Sequence, residues 1–238
     1  MPWTFGIDAF SYLVSIACVF LIAPIPPVPD ADRVSARSML DGIRFLKGRK
    51  VLQGSFVVDI NAMVFGMPMA LFPAFALQRF GGGPEVVGLL YAAPSAGALI
   101  AALVSGWTGR VRKQGLAVYI AVILWGGSLA AFGLSGSLPL AVLFLALAGG
   151  ADEVSLIFRH TILQTAAPKH MIGRLSGLEL AVVASGPSLG NLEAGAVASL
   201  TSLGFAVVSG GVLCIAGIGV MALLMPEFAR YDARDPTP

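Results

Sequence analysis

Charge is what this chain has least of. Of its 238 residues 12% are charged, against about 25% in an ordinary soluble domain. Hydrophobic residues make up 57%, and the mean hydropathy is +0.86. That balance excludes a typical water-soluble domain. Cysteine is scarce too: Cys18 and Cys214 lie far apart in apolar segments, which argues against a disulfide framework or a CxxC site. No run of Lys and Arg interleaved with aromatics points to nucleic acid. The triple glycine Gly81-Gly82-Gly83 is not followed by Gly-Lys-Ser/Thr, so it reads as a flexible connection and ATP drive is not expected. Metal-ligand spacing and a nucleophile elbow are both missing, so neither an enzyme nor a cofactor nor a metal is expected.

What the chain has instead is long apolar runs. A membrane span needs about 20 largely apolar residues. Seven segments qualify, at roughly 3–24, 51–77, 84–108, 115–135, 138–164, 174–200 and 204–225. The first has the length of a signal peptide, but it lacks a basic start and carries Asp8, which favours a span. Pro-Ile-Pro-Pro-Val-Pro at 24–29 ends it, because proline lacks an N–H and clashes with the preceding turn. Ser38–Lys50 then repeats Met39, Ile43 and Leu46 at helical spacing among basic residues, the pattern of a helix lying on a membrane surface. A basic amphipathic helix can also bind a soluble partner, but the flanking spans make the bilayer the simpler neighbour.

Pro68 and Pro73 interrupt the second span, as happens where a transporter helix lines a cavity. The third is rich in small residues, Ala92, Ala93 and Ser95 to Ala98 among them, which let helix backbones approach closely in lipid. In the sixth, Glu179, Gly186, Gly190 and Glu193 share one stripe, with Pro187 off it: a close-packing seam with an acid near each end.

Thirteen of the fifteen Lys and Arg fall on one side if residues 25–50 are placed inside; Arg79 is left outside and Arg159 lies within a span. The positive-inside bias then makes the C-terminus cytoplasmic.

The stretch Gly149–Gln164 concentrates chemistry inside an apolar run. Charges at membrane depth cost a few kcal/mol, so they pair or face a wet cavity. On a helix Asp152, Ser155 and Arg159 share one stripe, and Glu153, His160 and Gln164 the next. Two readings stay open, a structural ion pair between helices and a transport or proton-relay site. Asp59 in the second span, beside Ser55, lies at a depth matching that of Arg159. The two could pair, leaving Asp152 to take up a proton.

This order of elements, one span, a basic linker and six more spans, resembles the C-terminal part of a major facilitator superfamily transporter: helix six, the central loop and helices seven to twelve. Gly88-Leu89-Leu90-Tyr91-Ala92-Ala93-Pro94, Ala102-Leu103-Val104-Ser105-Gly106, and Leu163-Gln164-Thr165 with Pro168, Met171, Gly173-Arg174 and Gly177-Leu178 are similar to the enterobactin exporter branch and its macrolide-efflux relatives. Phe72-Pro73-Ala74 and the Asp41–Leu46 piece fit as well. The loop between the third and fourth spans departs from the family by offering Gly109 and Arg110 with no acid before its basic cluster. Gly186-Pro187-Ser188-Leu189-Gly190 resembles the antiporter glycine-proline motif but stands in helix eleven instead of five.

The resemblance implies an all-α integral membrane fold with seven transmembrane helices. Its parts would be 1–24 as helix six, 25–50 as cytoplasmic linker, 51–226 as the six-helix domain and 227–238 as cytoplasmic tail. It implies proton-coupled export of a siderophore-like or other amphipathic small molecule from a bacterial inner membrane. Asp59, Asp152, Glu153, Arg159 and His160 would serve in the cavity or in proton coupling. Gly106, Arg110, Arg112, Gly173, Arg174, Gly186, Pro187 and Gly190 would serve in packing or gating. The expected partners are the bilayer, protons, a small-molecule substrate and an N-terminal half, from upstream in the same gene or from a second chain. The alternative is a truncated or half-sized membrane protein with no transport of its own.

The orientation can be checked by introducing cysteine at Arg112 and at Gly82 and labelling intact cells with an impermeant thiol reagent. Position 82 should label from outside and position 112 only after the membrane is opened; the reverse pattern would invert the topology.

Overall fold

The computed structural model describes residues 2–22 and 36–234. The proline-rich part of the expected linker, through residue 35, and the tail beyond 234 lie outside the described residues. All regular structure among those described is helical. The chain divides into two units, 1–33 and 34–238. The described part of the first is α1, Pro2–Leu21, with the residue that follows it, and the described side chains there are all exposed. The second holds α2 (Ala36–Leu46), α3 (Lys50–Phe65), α4 (Phe72–Gln78), α5 (Pro84–Leu103), α6 (Gln114–Leu134), α7 (Leu138–Ala166), α8 (Lys169–Leu200), α9 (Leu203–Leu224) and α10 (Pro226–Arg230).

Among the described residues, five segments are long and apolar enough to cross a membrane: Lys50–Gln78, Pro84–Leu103, Gln114–Leu134, Leu138–Ala166 and Leu203–Leu224. In α1 the apolar stretch Phe5–Leu21 is shorter. At 32 residues α8 is long enough, but it carries Lys169, Arg174, Glu179 and Glu193 and is less apolar. The third expected span is cut short: α5 ends at Leu103, and Ser105–Arg110 tightens into a 3-10 turn in which the Thr108 hydroxyl donates to the Ser105 carbonyl at 2.8 Å.

Within unit two, α5, α7, α6 and α9 pack in succession, and α3 connects α9 and α7 to α8. Lipid gives helices no hydrophobic reason to associate, so close backbone approach at small residues carries the packing. A side chain at Gly97 would run into the Ala146 backbone, and one at Gly149 into Pro94. Gly126 and Gly211 hold α6 and α9 together in the same way. On α8, Gly186 and Gly190 face Met63, Val64 and Met67 at the end of α3, the close-packing seam expected from the sequence.

Both prolines of the second span act as breakers. The helix stops at Phe65, a 3-10 turn covers Met69–Leu71, and Phe72 restarts it. Backbone groups freed inside a bilayer must find other partners. Here the Ala70 amide donates to Asn191 Oδ1 at 2.9 Å and the Tyr91 hydroxyl donates to the Met69 carbonyl at 3.0 Å. Below the break the Asn61 amide nitrogen donates to the Cys214 carbonyl at 3.0 Å and ties α3 to α9.

The apolar stripe expected on α2 is split. Gly42 and Leu46 are buried, while Ile43 and Leu40 point outward. The reason lies in Gly42: with no side chain it lets α2 settle on the backbone of Arg174 in α8.

One end of unit two is laced by the residues after α9. Phe228 is fully buried against Gly54 and Tyr119, and its backbone meets Gly115. Lys50 Nζ pairs with Glu227 at 2.7 Å and Arg112 Nε with Asp232 at 3.1 Å. The Gln114 amide donates to the Tyr231 carbonyl, and the Tyr231 and Thr165 hydroxyls meet at 2.7 Å. The bond from Lys50 holds the Glu227 carboxyl below its usual range. The Arg234 amide, helped by Arg112, does the same for Asp232.

Replacing Gly97 by Ala should lower the unfolding free energy by about 1–3 kcal/mol, the cost of overpacking a tight seam. Gly127→Ala, at a position facing open space, should leave it unchanged or slightly raised. Thermal unfolding in detergent followed by circular dichroism distinguishes them, and equal melting would remove the seam argument.

Candidate site at membrane depth

Three helices bring charge to matched depth from the laced end. Counting from the helix ends at about 1.5 Å per residue, Asp59 lies about 14 Å into α3, Arg159 about 11 Å into α7 and Glu179 about 15 Å into α8. An Arg159 guanidinium nitrogen forms an ion pair with Asp59 Oδ1, and both side chains are almost wholly buried, at 5% and 4% exposure. That burial decides how the pair behaves. Water screens an exposed pair to little consequence, whereas a stranded buried charge is costly.

The surroundings extend the pair into a site. Ser55, Phe56 and Asp59 from α3, Arg159 and Leu163 from α7 and Glu179 from α8 line a cavity of about 10 Å³. A space of that size holds about one water. Ser55 and Ser155 are buried beside the charged groups on their helices. Arg159 Nε is buried without a hydrogen-bond partner among the described residues, so the guanidinium keeps a donor in reserve. Asp152 stands two turns before Arg159 and is half-buried, within Coulombic reach of Arg159, Asp59 and Glu153. Side chains on a helix lean toward its N-terminus, which aims Arg159 back along α7 toward Asp152.

The remaining candidates divide. His160 Nε2 lies 3.2 Å from Glu179 and so looks to α8. Glu153 is half-buried and forms no ion pair among the described residues. Gly186 and Gly190 belong to the α3–α8 seam, and Pro187 lies inside α8 beside them in sequence. Gly106 and Gly173 face open space and join no seam. Arg110 is exposed, Arg112 is held by Asp232, and Arg174 donates to Met171 Sδ at 3.9 Å. Among the described residues no cluster of three His, Cys, Asp or Glu side chains could hold a metal.

Sequence reasoning missed two participants. Glu179 reads as the end of a packing seam, yet its depth is close to that of Asp59, and comparing depths across spans would have found it. Asp232 supplies from the tail the acid that the loop around Arg112 lacks; the tail's two acids beyond α10 were the only hint.

Over residues 1–238 the chain matches the family described as transmembrane secretion effector. It is 31% identical to the enterobactin exporter EntS of Citrobacter koseri over the whole of its own length, covering 57% of that relative. To the enterobactin exporters EntS of Escherichia coli O81 and Shigella flexneri it is 31% and 32% identical, covering 56% of each. Thus it spans a little over half the length of these relatives. No solved structure matches it.

Asp59→Asn and Arg159→Gln should each destabilise the bundle by about 3–5 kcal/mol, because each strands the other charge. The double substitution should recover part of that loss. Denaturant unfolding in micelles gives the cycle, and strict additivity would mean that the two groups do not act as a pair.

Proposed function

The chain belongs to the transmembrane secretion effectors of the major facilitator superfamily, and from that premise we propose that it forms the C-terminal part of a proton-coupled exporter of siderophore-like or other amphipathic small molecules. It is a multi-pass membrane protein. In this reading α1 corresponds to helix six and α2 to the end of the central linker. The broken α3–α4 span corresponds to helix seven, and α5 to α9 correspond to helices eight to twelve. The laced end, which gathers Lys50, Arg112, Lys113, Lys169 and Arg174, faces the cytoplasm of a bacterial cell, as the positive-inside rule favours. A second six-helix half supplies the other wall of a midplane site, and the halves rock about it.

The observation that carries this reading is the buried Asp59–Arg159 pair with Asp152 two turns away on a membrane-spanning helix. With Asp152 ionised, two carboxylates face one guanidinium and the set carries a net charge of minus one. When Asp152 takes a proton the set becomes neutral. A net charge at membrane depth costs a few kcal/mol, so the ionised set favours a conformation open to water and the neutral set an occluded one. Arg159, with its unused Nε, can lean toward Asp152 when that group is ionised and rest on Asp59 when it is not. That is a two-state element which proton binding biases. Glu153 is the second choice for the proton, and Glu179 with His160 forms a neighbouring titratable pair.

The second reading, a membrane protein without transport of its own, draws on the chain's spanning 57% of its relative's length. Transport assays in proteoliposomes, with an N-terminal half co-expressed, separate the two. Asp152→Asn should abolish proton-driven export while leaving substrate binding and substrate–substrate exchange intact. Loss of expression and binding together would make Asp152 structural. Full proton-driven export by both Asp152→Asn and Glu153→Gln would end the relay assignment.

A further inference from the structure

Between α5, α6 and α7, away from the Asp59–Arg159 pair, lies an apolar groove of about 760 Å³. That volume falls inside the range of about 300–1,000 Å³ typical of ligand pockets. Gly97 and Gly150 form part of its floor, and the exposed side chains of Ile100, Ile120, Leu124 and Leu143 stand around it. Of all its lining residues only Ser128 and Trp107 have a polar side-chain atom. Along α6 the groove runs from Ala117 to Ser128, about 16 Å at the helical rise of about 1.5 Å per residue. That is the depth of one leaflet of a hydrocarbon core about 30 Å thick. A water-soluble ligand would find almost nothing to bond there, whereas a hydrocarbon chain fits both the length and the chemistry.

One end of the groove is different. Trp107, 44% exposed, stands edge-on to Phe158 with ring centroids 6.0 Å apart. Tryptophan in this half-wet position marks a membrane interface. The lining residue Val111 follows, flanked by Arg110 and Arg112, with Lys113 next. Asp232 holds Arg112, but Arg110 and Lys113 are exposed and have no ion pair among the described residues. An apolar slot one leaflet deep thus ends at an interfacial indole and at Val111, in a loop whose Arg110 and Lys113 are exposed and have no ion pair among the described residues. The geometry points to a bound anionic glycerophospholipid, with one acyl chain in the groove and its phosphate on Arg110 and Lys113. Basic pockets between membrane helices hold such headgroups. The site depends only on the chain's spanning a bilayer and not on export or proton coupling.

Native mass spectrometry of the full chain in mild detergent tests it, with phosphatidylglycerol and phosphatidylcholine of identical acyl chains as probes. The chain should retain phosphatidylglycerol about tenfold better. Arg110→Gln combined with Lys113→Gln should bring the two lipids level without reducing phosphatidylcholine. Ala117→Phe, which fills the groove, should reduce both. If a variant does not fold, as judged by helical circular dichroism and size exclusion, salt titration of the unaltered chain replaces it: added salt should remove the preference and keep the phosphatidylcholine. Equal retention of the two lipids, a preference that survives removal of both charges or high salt, or a second copy of the chain displacing the lipid would overturn the assignment.

Discussion

A guanidinium placed about two turns inside a membrane helix has to be answered, and in this bundle the answer is Asp59. Everything around Arg159 follows from that need. The α3 and α7 helices must lie side by side with their charged positions level, which fixes their relative register more tightly than apolar packing could. The α8 helix must come near enough for Glu179 to line the same small cavity. Its glycines, meeting Met63 on α3 and Met67 just beyond it, allow that approach. A polar requirement thus sets the register and small residues make it reachable. The stabilisation is conditional. A buried pair adds little over two well-packed apolar side chains, but either partner alone is a liability. Such a pair is therefore better understood as a device for holding or switching a geometry than as a source of strength, which suits a member of a transporter family.

The break in the second span shows the same economy in the backbone. Proline at 68 and 73 frees main-chain groups in a place without bulk water, and Asn191 and Tyr91 reach from neighbouring helices to take them up. The break is therefore stitched to α8 and α5, and movement of either helix would be felt at it. With the Asn61 contact to α9, the segment from Asp59 to Phe72 touches most of the bundle through polar atoms.

Much of this was legible in the sequence because bilayer physics is restrictive. Length and apolarity locate the spans, and the all-helical architecture follows since no other single segment satisfies its own backbone in lipid. The level of Asp59 and Arg159 could be counted out along the spans. Other features were hidden for identifiable reasons. Sidedness within a short helix depends on which neighbour arrives, and periodicity could not tell that Gly42 would be the docking point of α2 in place of the Met39–Ile43–Leu46 stripe. His160 shares a stripe with Glu153 and Gln164 on its own helix, but its contact comes from Glu179 of α8. The partners of Arg112 and of the broken span are distant in sequence, up to 121 residues away, and no local pattern announces them.

The lacing of one end by Phe228, Tyr231 and Asp232 bears on how the bundle is made. A ribosome delivers α3 and α6 long before it delivers the residues that follow α9. Until then Gly54 and Gly115 stand beside an empty socket, and Arg112 has no acid. The cross-ties among α3, α6 and α7 at that end can form only after every helix of the bundle has been threaded into the membrane. Synthesis order thus sets a limit on assembly: this end cannot close before Phe228, Tyr231 and Asp232 have left the ribosome, behind every helix they tie together.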